Sequence, residues 1–232
     1  MNIITNLALI RRYTIIAQVG MLGGLAVLAG GMYLSFRMPD RVEISMIALF
    51  LGFLLSQVGI YYSNRYARKP RPDELLNRAL KGLDGRYTIY HYSSPTSHLL
   101  VGPSGVWVLM PRFQRGEISY TNGKYKQKGG NLYLKIFAQE GLGRPELEIS
   151  AEKEKLTVFL SKTLPDDNLP EVKAALIFTN PSARINISEE ETPPAATVTL
   201  DQLKDAVRKT SKNKGISPVS LEQIQDLFPK PD

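Results

Sequence analysis

The sequence predicts an α/β domain, a mixed sheet flanked by helices, preceded by an N-terminal hairpin of two transmembrane helices. Three observations carry this. Residues 13–36 and 44–63 hold no charged side chain over 24 and 20 positions, and each is long enough as a helix to cross a hydrocarbon core about 30 Å thick. From residue 73 onward, short runs rich in β-branched and aromatic residues alternate with stretches of helical period, as in a sheet covered by helices. Within residues 97–118, two apolar runs meet at Gly102-Pro103-Ser104-Gly105, which reads as two adjacent strands joined by a tight turn.

Charge refines the first observation. The chain of 232 residues has a formal net charge of +7, which invites a nucleic-acid reading until the charges are located. Residues 1–72 hold eight Lys or Arg against Asp40 and Glu43, whereas residues 73–232 hold 21 against 20. The basic excess therefore belongs to the membrane region and reports topology. Arg11 and Arg12 precede the first span, Arg65, Arg68, Lys69 and Arg71 follow the second, and the loop between has only Arg37 and Arg41. By the positive-inside rule, both termini are cytoplasmic and the protein is a two-span protein of the plasma membrane. A cleaved signal peptide is the alternative for the first span, but its apolar part would run only about 7–15 residues. The absence of cysteine excludes disulfides, thiolate metal sites and a cysteine nucleophile, and fits a reducing compartment.

Residues 1–12 form a mildly apolar N-terminal cytoplasmic segment, too short to span, with an interfacial position as its expected place. In the first span Gly20 and Gly24 are four apart; in the second, Ala48, Gly52 and Ser56 repeat that spacing. Small residues at this period let helices approach closely. With the short link 37–43 they predict an antiparallel hairpin, and the alternative use of the same five residues is a homo-oligomer seam. No charge inside either span argues against an ion path. Residues 64–72 form a basic, proline-stiffened juxtamembrane linker. Its cations suit anionic headgroups, so the lipid bilayer is the expected partner of Arg65, Arg68, Lys69 and Arg71.

Residues 73–215 form the soluble domain. Leu75, Leu76, Ala79, Leu80 and Leu83 share a helical face. Residues 86–92 read as a strand, followed by a Ser93-Ser94-Pro95-Thr96 turn into the central pair. Gly116 opens a further strand, Asn122-Gly123 a hairpin turn, and residues 125–128 a return strand. Ser150 is the expected cap of a helix that ends before Pro165. Residues 172–178 read as a buried strand and 196–199 as another. Thr199 with Gln202 forms a capping box, and Ser220 with Gln223 repeats it for a short helix in the C-terminal segment 216–232.

The central stretch resembles the nuclease-related domain (NERD) family, a branch of the restriction-endonuclease-like fold. That family typically shows Asp-His, an aliphatic run, Gly-Pro-x-Gly, a β-branched or aromatic run, and Glu-x-Lys. His98, Leu99, Leu100, Val101, Gly102, Pro103, Gly105 and Val106 keep the frame, while Ser97 occupies the Asp position and Met110-Pro111-Arg112 occupies Glu-x-Lys. The resemblance covers residues 73–207 in order of elements and is specific at motif level only over 97–118. It implies a restriction-endonuclease-like sheet and, in active members, Mg²⁺-dependent cleavage of nucleic acid.

The three departures bear on that chemistry. Mg²⁺ is a hard cation that takes carboxylate and water ligands. A thioether at Met110 is a soft ligand, Ser97 offers a neutral hydroxyl, and Arg112 stays protonated. The expectation is a degenerate nuclease centre with no catalytic residue and no cofactor, serving as a binding or scaffold module whose protein partner the sequence does not name. The alternative is an active phosphodiesterase holding Mg²⁺ through relocated acids, with Glu74, Asp84 or Glu117 as candidates. His91 and His98 are the only histidines, and strand packing is their expected use. A nucleic-acid contact is expected, if anywhere, at Arg112, Arg115, Lys124, Lys126 and Lys128, where Lys135, Tyr120, Tyr125, Tyr133 and Phe137 add charge and rings. The other reading of this stretch is lysine protection of an exposed edge strand.

Overall fold

The computed structural model describes residues 1–129, 141–165, 169–213 and 216–230. Among these the chain divides into two compact units: Leu7–Arg71, and a sheet unit formed by Met1–Asn6 with the described residues from Pro72 onward.

The first unit is two long helices, α1 (Leu7–Arg37) and α2 (Val42–Tyr62), joined by one 3-10 turn at Pro39–Arg41. A π-helical turn, Ser63–Ala67, follows. Both helices are long and apolar enough to cross a membrane. The short turn makes them run antiparallel, and their glycines let the backbones touch. A methyl added at Gly24 would lie 2.4 Å from Ser56 Oγ, at Gly59 2.5 Å from the Met21 nitrogen, and at Gly31 3.0 Å from the Ala48 Cβ. Gly20, Gly24, Ala48, Gly52 and Ser56 all belong to this contact within one chain. The large apolar side chains, Val19, Leu22, Leu25, Phe50 and Val58 among them, point outward and are exposed.

The second unit is built on a six-stranded sheet in the order β1-β2-β3-β4-β7-β9. Its strands are β1 (Asn2–Thr5), β2 (Thr88–His91), β3 (His98–Gly102), β4 (Gly105–Arg112), β7 (Val172–Phe178) and β9 (Ala196–Thr199). Pairing is antiparallel for β2–β3 and β3–β4 and parallel for β1–β2, β4–β7 and β7–β9. A second sheet, β6-β5-β8, consists of the hairpin β5 (Gly116–Thr121) and β6 (Lys124–Lys128) with β8 (Ala183–Ile185) added in parallel to β5.

Helices cover both faces of the larger sheet. Val106, Val108 and Met110 of β4 pack with Leu156 and Leu160 of α4 (Pro145–Ser161) and with Ile224 of α6 (Pro218–Gln225). Trp107 and Leu109 point the other way, to Leu76 of α3 (Pro72–Ala79) and to Leu203 and Val207 of α5 (Leu200–Asn213). Burial on both faces explains why β4 and β7 read as continuous apolar runs.

Four local features differ from the sequence expectations. Asn2–Thr5 is a sheet strand and not an interfacial segment: its Asn2 and Asn6 amides donate to the Tyr87 and His91 carbonyls, and Ile4 packs on the core. Helix α4 begins at Pro145, whose fixed φ suits a first turn, while Ser150 lies inside it and its hydroxyl donates to the Glu146 carbonyl. Ser217, not Ser220, caps α6, accepting from the Ser220 amide at 3.2 Å. Strand β8 was not anticipated, being only three residues long.

The Gly-Pro-Ser-Gly turn is a packing device. A methyl on Gly102 would lie 2.1 Å from the Tyr87 ring, and Gly105 sits at φ +113°. Lys173 Nζ donates to the Ser104 carbonyl at 2.9 Å and Trp107 Nε1 to Ser104 Oγ at 3.1 Å. Lysine and indole thus hold the turn down from the neighbouring strand and from within the hairpin.

Candidate functional site

Three places hold the residues singled out in the sequence. The first is the α4 side of β3 and β4, where Ser97, Met110 and Arg112 lie. Continuing the register Leu99↔Val108 by two places brings Ser97 level with Met110. Ser97 is half-buried and its carbonyl accepts the Tyr92 amide at 2.8 Å. Met110 is 9 % exposed and belongs to the apolar core. Arg112, two residues on and therefore on the same face, pairs with Glu148 in α4. The Arg112 carbonyl accepts from both the amide and the hydroxyl of Thr179, which fixes the end of β4 against the end of β7.

Glu148 is the partner that sequence reasoning missed. It lies 36 residues after Arg112, in the first turn of a helix, where a carboxylate is favoured by the helix dipole whatever it faces. That spacing gave no local signal.

The alternative acids are placed on separate elements. Glu74 sits in the first turn of α3, whose buried face covers the opposite side of the sheet. Asp84 binds Arg86 at 2.7 Å and accepts its amide at 2.9 Å. That hydrogen bond from Arg86 holds the Asp84 carboxyl below its ordinary range. Glu117 accepts from Asn186 Nδ2 at 2.7 Å and stands in register between Lys128 and Arg184. Among the described residues, no three His, Asp or Glu side chains gather into a group able to hold a metal ion.

The second place is a buried polar pair on the α3 side. His91 and His98 are cross-strand neighbours with Nδ1 atoms 2.9 Å apart, and His91 Nε2 lies 2.9 Å from Asn77 Oδ1. With Asn77 accepting, His91 carries its proton on Nε2, and its Nδ1 accepts from His98 Nδ1–H in the neutral pair. Tyr92, at φ +56°, sets its ring 4.8 Å from that of His98. Both imidazoles are almost fully buried, so this contact pins β2 to β3 beneath α3.

The third place is the β5–β6 hairpin. Lys124, Lys126 and Lys128 alternate along β6 on its exposed face, opposite Thr121, Ser119 and Glu117. Tyr120 and Tyr125 lie on the inner face, rings 4.8 Å apart. The Tyr125 hydroxyl bonds Thr197 Oγ1 at 2.7 Å, and burial pushes its ionisation up to about 12, a little offset by that bond. The period of two therefore separates cations from rings, and these two tyrosines present no stacking face beside the lysines. Arg115 is half-buried, with its carbonyl bound by Gln127 Nε2 at 2.9 Å. Arg112, the other arginine expected to contact phosphate, is engaged by Glu148 of α4. Tyr133, Lys135 and Phe137 lie outside the described residues.

Arg65, Arg68, Lys69 and Arg71 follow α2 directly. Arg65 Nη1 donates to the Tyr61 hydroxyl at 2.8 Å and its guanidinium lies 5.5 Å from that ring. Tyr13, Tyr62 and Tyr66 form a triangular ring cluster, with centroids 4.9, 4.8 and 6.3 Å apart for Tyr13–Tyr62, Tyr13–Tyr66 and Tyr62–Tyr66. No family model, no curated protein and no solved structure matches this chain.

Proposed function

We propose that the chain is a membrane-anchored, cytoplasm-facing binding or scaffold module whose NERD-like, restriction-endonuclease-like sheet has lost its metal centre. One observation carries this reading: where a metal site would need two acids and a lysine, Met110 is packed into the core and Arg112 is engaged by Glu148. A soft, buried thioether and a paired guanidinium offer a divalent ion neither charge nor an open position.

The anchor is α1 with α2, crossing the bilayer as a hairpin in the plasma membrane. Their outward apolar side chains support this, because a solvated helix pair would not expose so continuous a surface. Strand β1 supports a same-side arrangement of the termini. It precedes α1 yet pairs with β2, which follows α2, and one hydrogen-bonded sheet cannot straddle a membrane. The charge at the two ends of the helix pair then sets the cytoplasmic side. Because Gly20, Gly24, Ala48, Gly52 and Ser56 are consumed in the hairpin contact, homo-oligomerisation through them forms no part of this reading.

The test is titration of the full chain in detergent with Mg²⁺ or Mn²⁺ and with single- and double-stranded DNA, following cleavage and heat together. The expected outcome is no metal-dependent hydrolysis. Cleavage that a chelator stops would replace this reading with a phosphodiesterase using Glu74, Asp84 or Glu117.

A further inference from the structure

We infer that the end of the helix pair where the chain enters α1 and leaves α2 is a built site for an anionic phospholipid headgroup. It is formed by the Tyr13–Tyr62–Tyr66 stack together with Arg11, Arg12, Arg65 and Arg68. The inference rests on the reading that α1 and α2 lie in a bilayer, and adds to it which lipid class is held and by what.

The antiparallel register does the assembling. The close approach of Gly20 to Gly59, extended along both helices, sets Tyr13 level with Tyr66 and brings Arg11 and Arg12 to the same end of the helix pair as Arg65 and Arg68. Two arginines from the start of α1 thus share an end with four cations from the exit of α2. At the other end Arg37 and Arg41 are matched by Asp40 and Glu43. The cationic excess of the helix pair is therefore confined to one end.

The π-helical turn shapes that end. The Arg68 amide reaches back five residues to the Ser63 carbonyl at 2.8 Å, which widens the helix and re-aims the side chains of the turn. Thr14 Oγ1 donates across to the Tyr66 carbonyl at 3.2 Å, and the Tyr13 ring packs against both Tyr62 and Tyr66. Tyrosine rings are amphipathic and settle at headgroup depth.

The surface is that of an amphiphile's site. Guanidinium groups suit phosphate oxygens, and just below them Ile15, Val58 and Tyr61 are exposed on the flanks of α1 and α2, where an acyl chain would lie. A soluble phosphate or a nucleic acid would leave that apolar part uncovered. Net negative charge on the lipid is required because zwitterionic headgroups carry their own cation.

The experiment uses the full chain reconstituted with equal phosphatidylglycerol and phosphatidylcholine, then washed in neutral detergent, with the retained lipid quantified by mass spectrometry. The expected result is a roughly tenfold enrichment of phosphatidylglycerol, falling to near-equal retention of the two lipids in Arg11→Gln/Arg12→Gln/Arg68→Gln. Arg37→Gln/Arg41→Gln should leave it unchanged. Tyr13→Leu, which alters no charge, should also reduce enrichment, because Tyr13 ties the start of α1 to Tyr62 and Tyr66 at the exit of α2. Fluorescence of Trp107, the one tryptophan, checks that each variant's sheet unit is folded. Equal retention of the two lipids, enrichment that survives the triple variant, or indifference to Tyr13→Leu would each overturn the built site. Alkaline carbonate extraction separates this from failure of the membrane reading. A chain released from vesicles was never anchored, whereas a chain that stays embedded without lipid preference sinks only the headgroup site.

Discussion

Met110 lies near the end of β4 with its side chain in the core, and its surroundings say what a carboxylate there would meet. The side chain lies among Val108, Leu156 and Phe178 in one core cluster, so Met110→Glu buries an acid without an oxygen-rich neighbourhood. The expected cost is about 2–5 kcal/mol in thermal or denaturant unfolding followed by Trp107 fluorescence, with no gain on adding Mg²⁺. Stabilisation of that variant by Mg²⁺ would show that an open metal position persists. Gly102→Ala tests the turn: its methyl would press on the Tyr87 ring, and a loss of about 1–3 kcal/mol is expected by the same readout. Tyr125 supplies a pH dependence. Its phenol ionises near 12 in the folded chain against an ordinary value of 10.0. The neutral form is therefore favoured by folding, the contribution is complete below pH 10, and it is lost as pH rises through about 12. Burial pushes Tyr90 up to about 12 as well, so spectrophotometric titration should show the late-ionising amplitude reduced, not abolished, in Tyr125→Phe.

At the scale of elements, the helix pair and the N-terminal strand carry the sharpest expectations. Gly24→Leu places a branched side chain where even a methyl comes within 2.4 Å of Ser56, so α1 and α2 must separate. The chain has no cysteine, so Gly31→Cys/Ala48→Cys gives an unambiguous readout of their spacing by disulfide formation. That crosslink should form in the otherwise native chain and fall sharply when Gly24→Leu is added. Strand β1 is short and at the sheet edge, but Ile4 packs on the core and the terminal ammonium of Met1 donates to the Leu83 carbonyl at 3.2 Å. Ile4→Asp should cost about 1–3 kcal/mol in the sheet unit, read from Trp107. An unchanged transition would mean that the first six residues are dispensable. The spacing of glycines announced the helix contact. Nothing announced β1, because four residues of Asn, Ile and Thr next to an apolar helix look the same whether they rest on lipid or pair with β2.

For the molecule as a whole, the sequence by itself determined what local chemistry decides: two uncharged lengths able to span a membrane, the location of the basic excess, the tight hairpin at Gly102–Gly105, the buried strand at 172–178 and the further strand at 196–199. Each depends on residues close in the chain, whose period, charge or steric freedom is a property of the stretch itself. Tertiary structure alone decided which distant groups meet. It brought Glu148 to Arg112, set Tyr13 against Tyr66, turned Tyr125 inward to Thr197 while its lysine neighbours faced out, and recruited Met1–Asn6 to the sheet. It also set the two histidines, seven apart in sequence, nitrogen to nitrogen. Such pairings are fixed by strand register and helix packing, which depend on the summed burial of the whole core and leave no mark on any one segment.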